Sequence, residues 1–381
     1  MSETTIPAAA PSDTPAGAPG SGPERIVILA DGQLTFGDAK TAFGVIRYGL
    51  DRVVAVIDRA NAGRSISEWI ATPYEVPVLA TLEEALALEP APTVLLIGIA
   101  PTGGALPPAW RSLLVTAMGA GLSVRSGLHT FLGDDAELAA AAAANGVTIT
   151  DYRRPPERRD CAIGRRHAPG KRVILAVGSD CAVGKMSVSL ELVRAAAADG
   201  VRPVFVPTGQ TGMMIAGWGV AVDRLISDFL NGTVEWLVED GEARGDWLFV
   251  EGQGSIDHPA YSSVTLGLIH GATPHAMVLV HKPGLGDHDF THVPDRVFPL
   301  APLPYLVDLH ERIASCVAPS RVVAVALNTS LIADPDEARR VIAATEAETG
   351  LPCDDPFRFG PERLWPRVRA AVEALPWVDA S

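Results

Sequence analysis

The chain has 381 residues, of which 48% are hydrophobic and 20% are charged, with a formal net charge of −14. Such a chain is long enough for two domains of ordinary size with sizeable cores. Its acidic balance, without any block of lysine and arginine, argues against nucleic acid and anionic membrane surfaces as partners. Four cysteines without paired short spacing indicate reduced thiols in a cytoplasmic protein; they are Cys161, Cys181, Cys316 and Cys353.

Residues 1–22 are rich in alanine, proline, serine, threonine and glycine. They have neither the basic start nor the apolar centre of a signal peptide, and we expect them to form a disordered tail. No apolar run in the chain reaches about 18 residues, which argues against a membrane span.

Four short apolar runs follow the tail, at residues 25–30, 53–58, 94–100 and 147–152. Helix-compatible segments separate them, and this alternation predicts a parallel sheet covered on both faces. We therefore predict a Rossmann-like α/β domain over residues 23–152. Asp58 ends the second run, where such domains often have an acid, but the glycine fingerprint GxGxxG is absent. A bound NAD is therefore not expected.

A segment rich in proline and arginine, residues 153–171, interrupts the pattern, and we interpret it as a solvated linker rather than a phosphate-binding patch. A second strand–helix series follows, which predicts a second α/β domain over residues 172–381. Its predicted strands lie at residues 172–177, 203–208, 246–252, 276–281 and 321–327. Its predicted helices lie at residues 185–199, 263–271, 334–350 and 361–375.

The segment GSDCAVGKMS, residues 178–187, lies between a predicted buried strand and a predicted helix. It is similar to the phosphate loop GxxxxGK with Ser or Thr next, but it has one residue more between the glycines. Backbone N–H groups of such a loop converge on an anion, and the helix N-terminus adds partial positive charge. The predicted phosphate-binding residues are Gly178, Ser179, Asp180, Cys181, Ala182, Val183, Gly184, Lys185, Met186 and Ser187, with Asn328 from a later motif.

Met186 stands where phosphate-loop hydrolases and kinases have the hydroxyl that ligates Mg²⁺. A thioether is no ligand for this ion, so the loop keeps its anion-binding parts and lacks its usual metal ligand. The pattern favours a diphosphate-bearing ligand that is held but not cleaved, such as coenzyme A. No metal is expected, and displacement of Mg²⁺ to Asp180 or Glu251 is the alternative.

Polar side chains follow two further predicted strands of the second domain, where α/β proteins collect ligands. Thr208, Gln210 and Thr211 in PTGQTG suit a polar ligand, although a glycine-rich turn is the alternative. Glu251 ends a strand at the second-acid position of phosphate-loop proteins, where it can hold a metal or accept a proton. His258 and Tyr261 follow in the same loop, and a structural role for His258 is equally open.

Two more clusters of polar residues follow strands. His281, Lys282, His288 and His292 have irregular spacing, which makes a metal site there a weak interpretation. In the first domain, Arg125, Ser126 and His129 follow a predicted strand end at Val124. Arg125 suits a carboxylate, and a plain surface arginine is the alternative.

These motifs carry two resemblances. The C-terminal half is similar to dethiobiotin synthetase, an ATP-dependent phosphate-loop enzyme, because GSDCAVGK, PTGQTG and VEGQGS occur in the matching order. Met186 departs from that enzyme, which has a metal-binding threonine there. From Arg25 onward, SGLHTFLGDD, GSDCAVGKMS, VDRLISDFLNG, VEGQGSIDHPAYSSVTLGLIHG and ALNT together resemble the D-glutamate N-acetyltransferase family, formerly described as a domain of unknown function.

The second resemblance implies a Rossmann-like domain joined to a phosphate-loop domain, and transfer of acetyl from acetyl-CoA to the amine of D-glutamate or a similar amino acid. Such an enzyme grips the phosphates of CoA without splitting them. We interpret Glu251 as the base, with His258 second, and Tyr261 or the N–H groups of residues 252–254 as oxyanion donors. The expected substrate-binding residues are Arg125, Ser126, His129, Thr208, Gln210, Thr211 and Lys282.

Two other functions stay open. One is an ATP- and Mg²⁺-dependent ligase or small-molecule kinase, in which Asp180, Asp223, Asp228 and Glu251 hold the ion together. The other is a non-catalytic nucleotide sensor. We also expect a homo-oligomer, whose size the sequence does not fix.

Overall fold

The computed structural model describes residues 24–35, 38–99, 104–288 and 296–377. The predicted N-terminal tail and His292 lie outside these ranges. In the described part of the chain, no helix is both long and apolar enough to cross a membrane.

The first domain is built on a sheet of six parallel strands. In chain order they are β1 (Arg25–Leu29), β2 (Arg52–Ile57), β3 (Val78–Leu79), β4 (Val94–Ile97), β5 (Ser123–Ser126) and β6 (Ile149–Asp151). Their spatial order is β3-β2-β1-β4-β5-β6, that of a doubly wound Rossmann-like sheet. The helices are α1 (Lys40–Tyr48), α2 (Leu82–Leu86), α3 (Pro108–Gly119) and α4 (Ala136–Asn145).

The second domain has another six-stranded parallel sheet, in the order β12-β11-β10-β7-β9-β8. Its strands are β7 (Arg172–Gly178), β8 (Pro203–Val206), β9 (Trp247–Val250), β10 (Ala276–His281), β11 (Arg321–Leu327) and β12 (Cys353–Asp354). Its helices are α5 (Lys185–Ala198), α6 (Gln210–Ala216), α7 (Ser227–Arg244), α8 (Ser262–Ala272), α9 (Leu303–Ala314), α10 (Pro335–Thr349) and α11 (Trp365–Glu373). The predicted fold class, two parallel α/β domains, is confirmed.

The structure differs from the sequence prediction in four helices of this domain, α6, α7, α9 and α11. PTGQTG does not form an open turn, because α6 begins at Gln210 inside it. Neither α7 nor α9 was predicted; α7 contains Gly232 and Gly241, which obscure its helical pattern. The last predicted helix begins four residues later, at Trp365, because residues 361–364 form a turn.

Residues 153–171 have no regular secondary structure and are mostly exposed, but they are held along α7. Backbone N–H groups of Ile163 and Arg165 donate to the Glu235 carboxylate at 2.8 and 3.0 Å. Nζ of Lys171 donates to the carbonyls of Glu242 and Gly245 at the C-terminal end of α7, at 2.6 and 2.8 Å. The segment is therefore fixed in place rather than fully solvated.

The two domains share an interface formed by α1 on one side and by α5 and α6 on the other. The hydroxyls of Thr41 and Thr211 are hydrogen-bonded at 2.7 Å. Arg47 and the Tyr48 hydroxyl both donate to the buried carboxylate of Glu191 on α5, at 3.0 and 2.8 Å. These polar contacts connect both ends of α1 to the second domain, the first turn to α6 and the last turn to α5.

Candidate functional site

The phosphate loop connects β7 to α5 at the carboxyl edge of the second sheet. Gly184 has φ +115°, which L side chains rarely adopt, and it directly precedes the helix. Nδ2 of Asn328, just after β11, donates to the Val183 carbonyl at 3.1 Å and supports the loop from the side. The hydroxyl of Ser179 contacts Nδ1 of His281 at 2.8 Å, which ties the loop to the end of β10.

Lys185 is buried, and its Nζ donates to the Asp180 carbonyl at 2.7 Å. Burial lowers the pKa of Lys185 to about 8, while the nearby Cys181, Asp180 and Glu251 act in the opposite direction. A phosphate in the loop would favour the charged form of this lysine, because an opposite charge offsets the desolvation.

Glu251, at the end of β9, is a buried carboxyl group held by backbone donors. Its Oε2 accepts from the N–H groups of Thr208 and Gly209 at 2.9 and 3.0 Å. Burial raises the pKa of Glu251 to about 7, although these two donors and Lys185 lower it. A carboxyl group with such a pKa exchanges its proton readily near neutral pH, as a general base must.

Asp180, His258 and His288 form a buried cluster whose nitrogen and oxygen atoms lie within 4.8 Å of one another. Oδ1 of Asp180 lies 3.1 Å from Nδ1 of His288 and 3.9 Å from Nε2 of His258. Such a set of side chains is typical of transition-metal sites. However, the Ala260 N–H donates to Nδ1 of His258 at 3.0 Å, so the neutral ring has its proton on Nε2, the atom facing Asp180. The geometry therefore fits a hydrogen-bonded cluster better than a metal site.

The acids considered for Mg²⁺ are not brought together among the described residues. Asp180 lies with the two histidines, Glu251 is bound to the backbone after β8, and Asp223 forms an ion pair with Arg153. Asp228 is exposed in the first turn of α7.

Three of the predicted substrate-binding residues, Arg125, Ser126 and His129, lie in the first domain. Arg125 forms ion pairs with Glu24 and Asp51 of its own domain. The hydroxyl of the buried Ser126 accepts from the Leu128 N–H at 3.2 Å. His129 is exposed. Two arginines that the sequence reading did not select contact the same segment: Nε of Arg153 donates to the Gly127 carbonyl at 2.7 Å, and the Arg224 guanidinium lies 5.3 Å from the Phe131 ring centroid.

The remaining predicted residues lie on the second domain. The Thr208 hydroxyl donates to the Glu251 carbonyl at 2.8 Å, and Gln210 begins α6. Tyr261 is exposed, with its ring centroid 4.8 Å from that of His258. Lys282 directly follows β10.

Met186 points away from the loop and into the interface between the domains. A Cβ atom built on Gly44 of α1 would lie 3.2 Å from Cε of Met186 and 3.1 Å from Cγ2 of Thr211. The position that holds the metal-binding hydroxyl in other phosphate loops is thus used here for packing between domains.

Comparisons of the sequence and of the structure with known proteins agree on one family. A model of a domain of unknown function, the DUF1611_C P-loop domain, matches residues 160–365, and the DUF1611_N Rossmann-like domain matches residues 59–155. A DUF1611 family protein from Anabaena variabilis, solved by crystallography, has 42% sequence identity and a TM-score of 0.84, covering 91% of this chain and 99% of its own.

Two similar proteins carry a name that states an activity. A D-glutamate N-acetyltransferase from Tritonibacter scottomollicae is 36% identical over 335 residues, which cover 86% of this chain and 92% of that protein. A D-glutamate N-acetyltransferase from a Pseudoalteromonas species is 34% identical over 270 residues, 70% of this chain and 79% of that protein.

Proposed function

Because this chain belongs to the D-glutamate N-acetyltransferase family and is an N-acetyltransferase, we propose that it moves acetyl from acetyl-CoA to the amine of D-glutamate. The observation that carries the proposal is Glu251, a buried carboxyl group with a pKa of about 7 beside a phosphate loop that has Met186 in place of a metal ligand. The loop would bind the CoA diphosphate, and Glu251 would accept a proton from the reacting amine.

The proposed chemistry is direct attack of the amine on the thioester carbon. Glu251 takes a proton from the amine nitrogen as the C–N bond forms, which gives a tetrahedral intermediate with a negatively charged oxygen. N–H groups of residues 252–254, or the Tyr261 hydroxyl, would stabilise that oxygen. The C–S bond then breaks, and the CoA thiolate takes a proton from Glu251 and leaves as the free thiol.

The acceptor's carboxylates need cationic partners at the same edge of the sheet. Arg153 and Arg224 contact residues 126–131, the segment that holds His129. Lys282 follows β10 on the other side of the phosphate loop. With Arg125 already in two ion pairs, we favour Arg224 and Lys282 as partners for the acceptor.

The test is incubation of the purified protein with acetyl-CoA and a panel of D- and L-amino acids, following free thiol release and product mass. A blank without acceptor corrects for the four cysteines of the chain. D-Glutamate should release thiol, whereas D-2-aminobutyrate, which lacks the side-chain carboxylate, should react poorly. The proposal fails if no amine releases thiol, or if ATP is split in step with product formation.

Thermal shift separates this proposal from the ATP- and Mg²⁺-dependent ligase or kinase. A ligand that binds only the folded state raises its stability by mass action. We expect stabilisation by CoA and acetyl-CoA without any metal. Stabilisation by ATP alone, and only with Mg²⁺, would favour the alternative.

A further inference from the structure

The first turn of α1 in the Rossmann-like domain lies against the phosphate-binding edge of the other domain. Thr41, the second residue of α1, is hydrogen-bonded to Thr211 of α6 at 2.7 Å. Gly44, one turn further, packs against Met186 of α5. The start of α1 is therefore positioned by contacts with α6 and with the end of the phosphate loop.

Lys40 is the first residue of α1 and is exposed. Among the described residues, its ammonium group makes neither a hydrogen bond nor an ion pair with a carboxylate. The first turn of α1 contains no acid, and its N-cap residue makes no side-chain capping bond. The acid nearest in the chain, Asp38, lies just before the N-cap residue and accepts a hydrogen bond from the Thr35 hydroxyl, so within the described structure no ion pair neutralises Lys40.

Lys40 directly precedes Thr41, whose contact with Thr211 places the start of α1 against the phosphate-loop domain. Burial is the main cause of the lowered pKa of Lys185, and the charge on Lys40 adds to it in the same direction, so the two ammonium groups are close enough to repel each other. An anion bound between them would remove this repulsion and interact with both.

We propose that Lys40, carried by the Rossmann-like domain, binds the diphosphate group of the ligand that the phosphate loop holds. In this arrangement Lys40 supplies the second positive charge that Mg²⁺ supplies in other phosphate loops. Met186 fits the same arrangement. Its side chain provides no ligand for a metal ion, and it packs against Gly44 of α1, the helix that carries Lys40. The identification of the ligand as CoA rests on the proposed function, whereas the cation–diphosphate contact does not.

The test compares Lys40→Ala and Lys40→Arg with Arg59→Ala, which removes another exposed cation of the same domain that has no ion pair in the described part of the chain. Calorimetry would measure the affinity of each protein for CoA, for metal-free ATP and for pantetheine, which has no diphosphate. We expect Lys40→Ala to weaken CoA binding about 10-fold, because a charge-assisted contact is lost. Lys40→Arg and Arg59→Ala should stay close to wild type, and pantetheine should not distinguish any of the proteins.

Salt gives a second readout of the same contact. Between about 0.05 and about 0.5 M KCl, the affinity ratio of wild type to Lys40→Ala should fall, because screening weakens an exposed charge–charge contact. Thermal melts without ligand check folding, and Lys40→Gln replaces Lys40→Ala if the latter is unstable.

The outcomes separate this inference from the proposed function. If wild type transfers acetyl and Lys40→Ala binds CoA as tightly as wild type does, the inference fails and the function stands. If wild type binds only metal-free ATP and Lys40→Ala weakens that binding, the function fails and the inference stands. Equal weakening by Lys40→Ala and Arg59→Ala, or equal loss of pantetheine binding, would also overturn the inference.

Discussion

Met186 and Gly44 are in contact across the boundary between the two domains, with 3.2 Å between Cε of Met186 and a Cβ atom built on Gly44. In other phosphate loops the residue after the lysine faces a metal ion. Here the side chain at that position joins the hydrophobic cluster of the first domain instead. The phosphate loop therefore contributes to the packing between the two domains, and the residue that replaces the metal ligand has a structural role.

Replacing Met186 by Thr should therefore affect stability more than catalysis. Removal of the apolar contact should lower the free energy of unfolding by about 1–3 kcal/mol, while acetyl transfer stays roughly intact and independent of Mg²⁺. Urea unfolding and thiol-release assays with Mg²⁺ or EDTA would measure both effects. Met186→Leu, which keeps the contact, is the control and should stay near wild type. Transfer that becomes Mg²⁺-dependent in Met186→Thr would contradict this account.

Glu251→Gln tests the proposed base. The glutamine oxygen can still accept from the N–H groups of Thr208 and Gly209, so the fold should persist. We expect kcat to fall about 100-fold or more, with little change in the affinity for acetyl-CoA. In wild type, kcat should rise as the pH passes through about 7, where Glu251 loses its proton, and this rise should be missing in the variant.

The matched control for that experiment is Glu239→Gln on the exposed side of α7, where Glu239 pairs only with Arg165 in the described structure. Its activity and pH profile should equal those of wild type. A Glu251→Gln protein that kept most of its activity would show that another group is the base.

The pKa of Glu251 also predicts how stability depends on pH. The folded-state pKa of about 7 exceeds the ordinary value of 4.5, so the folded state binds this proton more tightly than the unfolded state does. The contribution is fully present below pH 4.5 and is lost as the pH rises through about 7, amounting to about 3 kcal/mol at most. Chemical unfolding of wild type and Glu251→Gln across this range should show wild type losing stability relative to the variant. A constant difference between the two proteins would contradict the buried, raised-pKa carboxyl group.

The sequence predicted the parts of this protein that local pattern determines. Strands such as β10 are continuous apolar runs, and the phosphate loop is defined by glycines and a lysine that are close in the chain. α6 was missed because PTGQTG has no helical periodicity, and its seven residues are ordered by Glu251 and by the contact with α1.

Contacts between the domains could not be predicted from the sequence, because they depend on how the two folded domains pack against each other. Nothing in the chain connects Lys40 with Lys185, or Gly44 with Met186, until α1 is placed against α5. The arginines show the same limit: Arg125 and Arg153 look equivalent in the sequence, but only the fold decides which acids each one meets.

Arg125→Ala distinguishes a structural arginine from one that binds substrate. The substitution leaves Glu24 and Asp51 without their common partner, and each of these carboxylates has about a quarter of its side chain exposed. We expect a modest loss of stability, about 1 kcal/mol, with KM for the amine acceptor unchanged. Arg224→Ala, by contrast, should raise KM for the acceptor without lowering stability. If KM for the acceptor rises in Arg125→Ala and not in Arg224→Ala, then Arg125 is the residue that binds the acceptor.

Lys185→Met separates binding from folding at the phosphate loop. Burial lowers the pKa of Lys185 from 10.5 to about 8, so the charged side chain destabilises the unliganded protein at neutral pH. An apolar side chain of similar length should therefore leave stability equal or raise it, and this difference should disappear above pH 10.5. The same substitution should weaken CoA binding about 100-fold. Thermal melts with and without CoA measure both quantities, and a variant that kept the full CoA-induced shift would show that the loop does not bind the diphosphate.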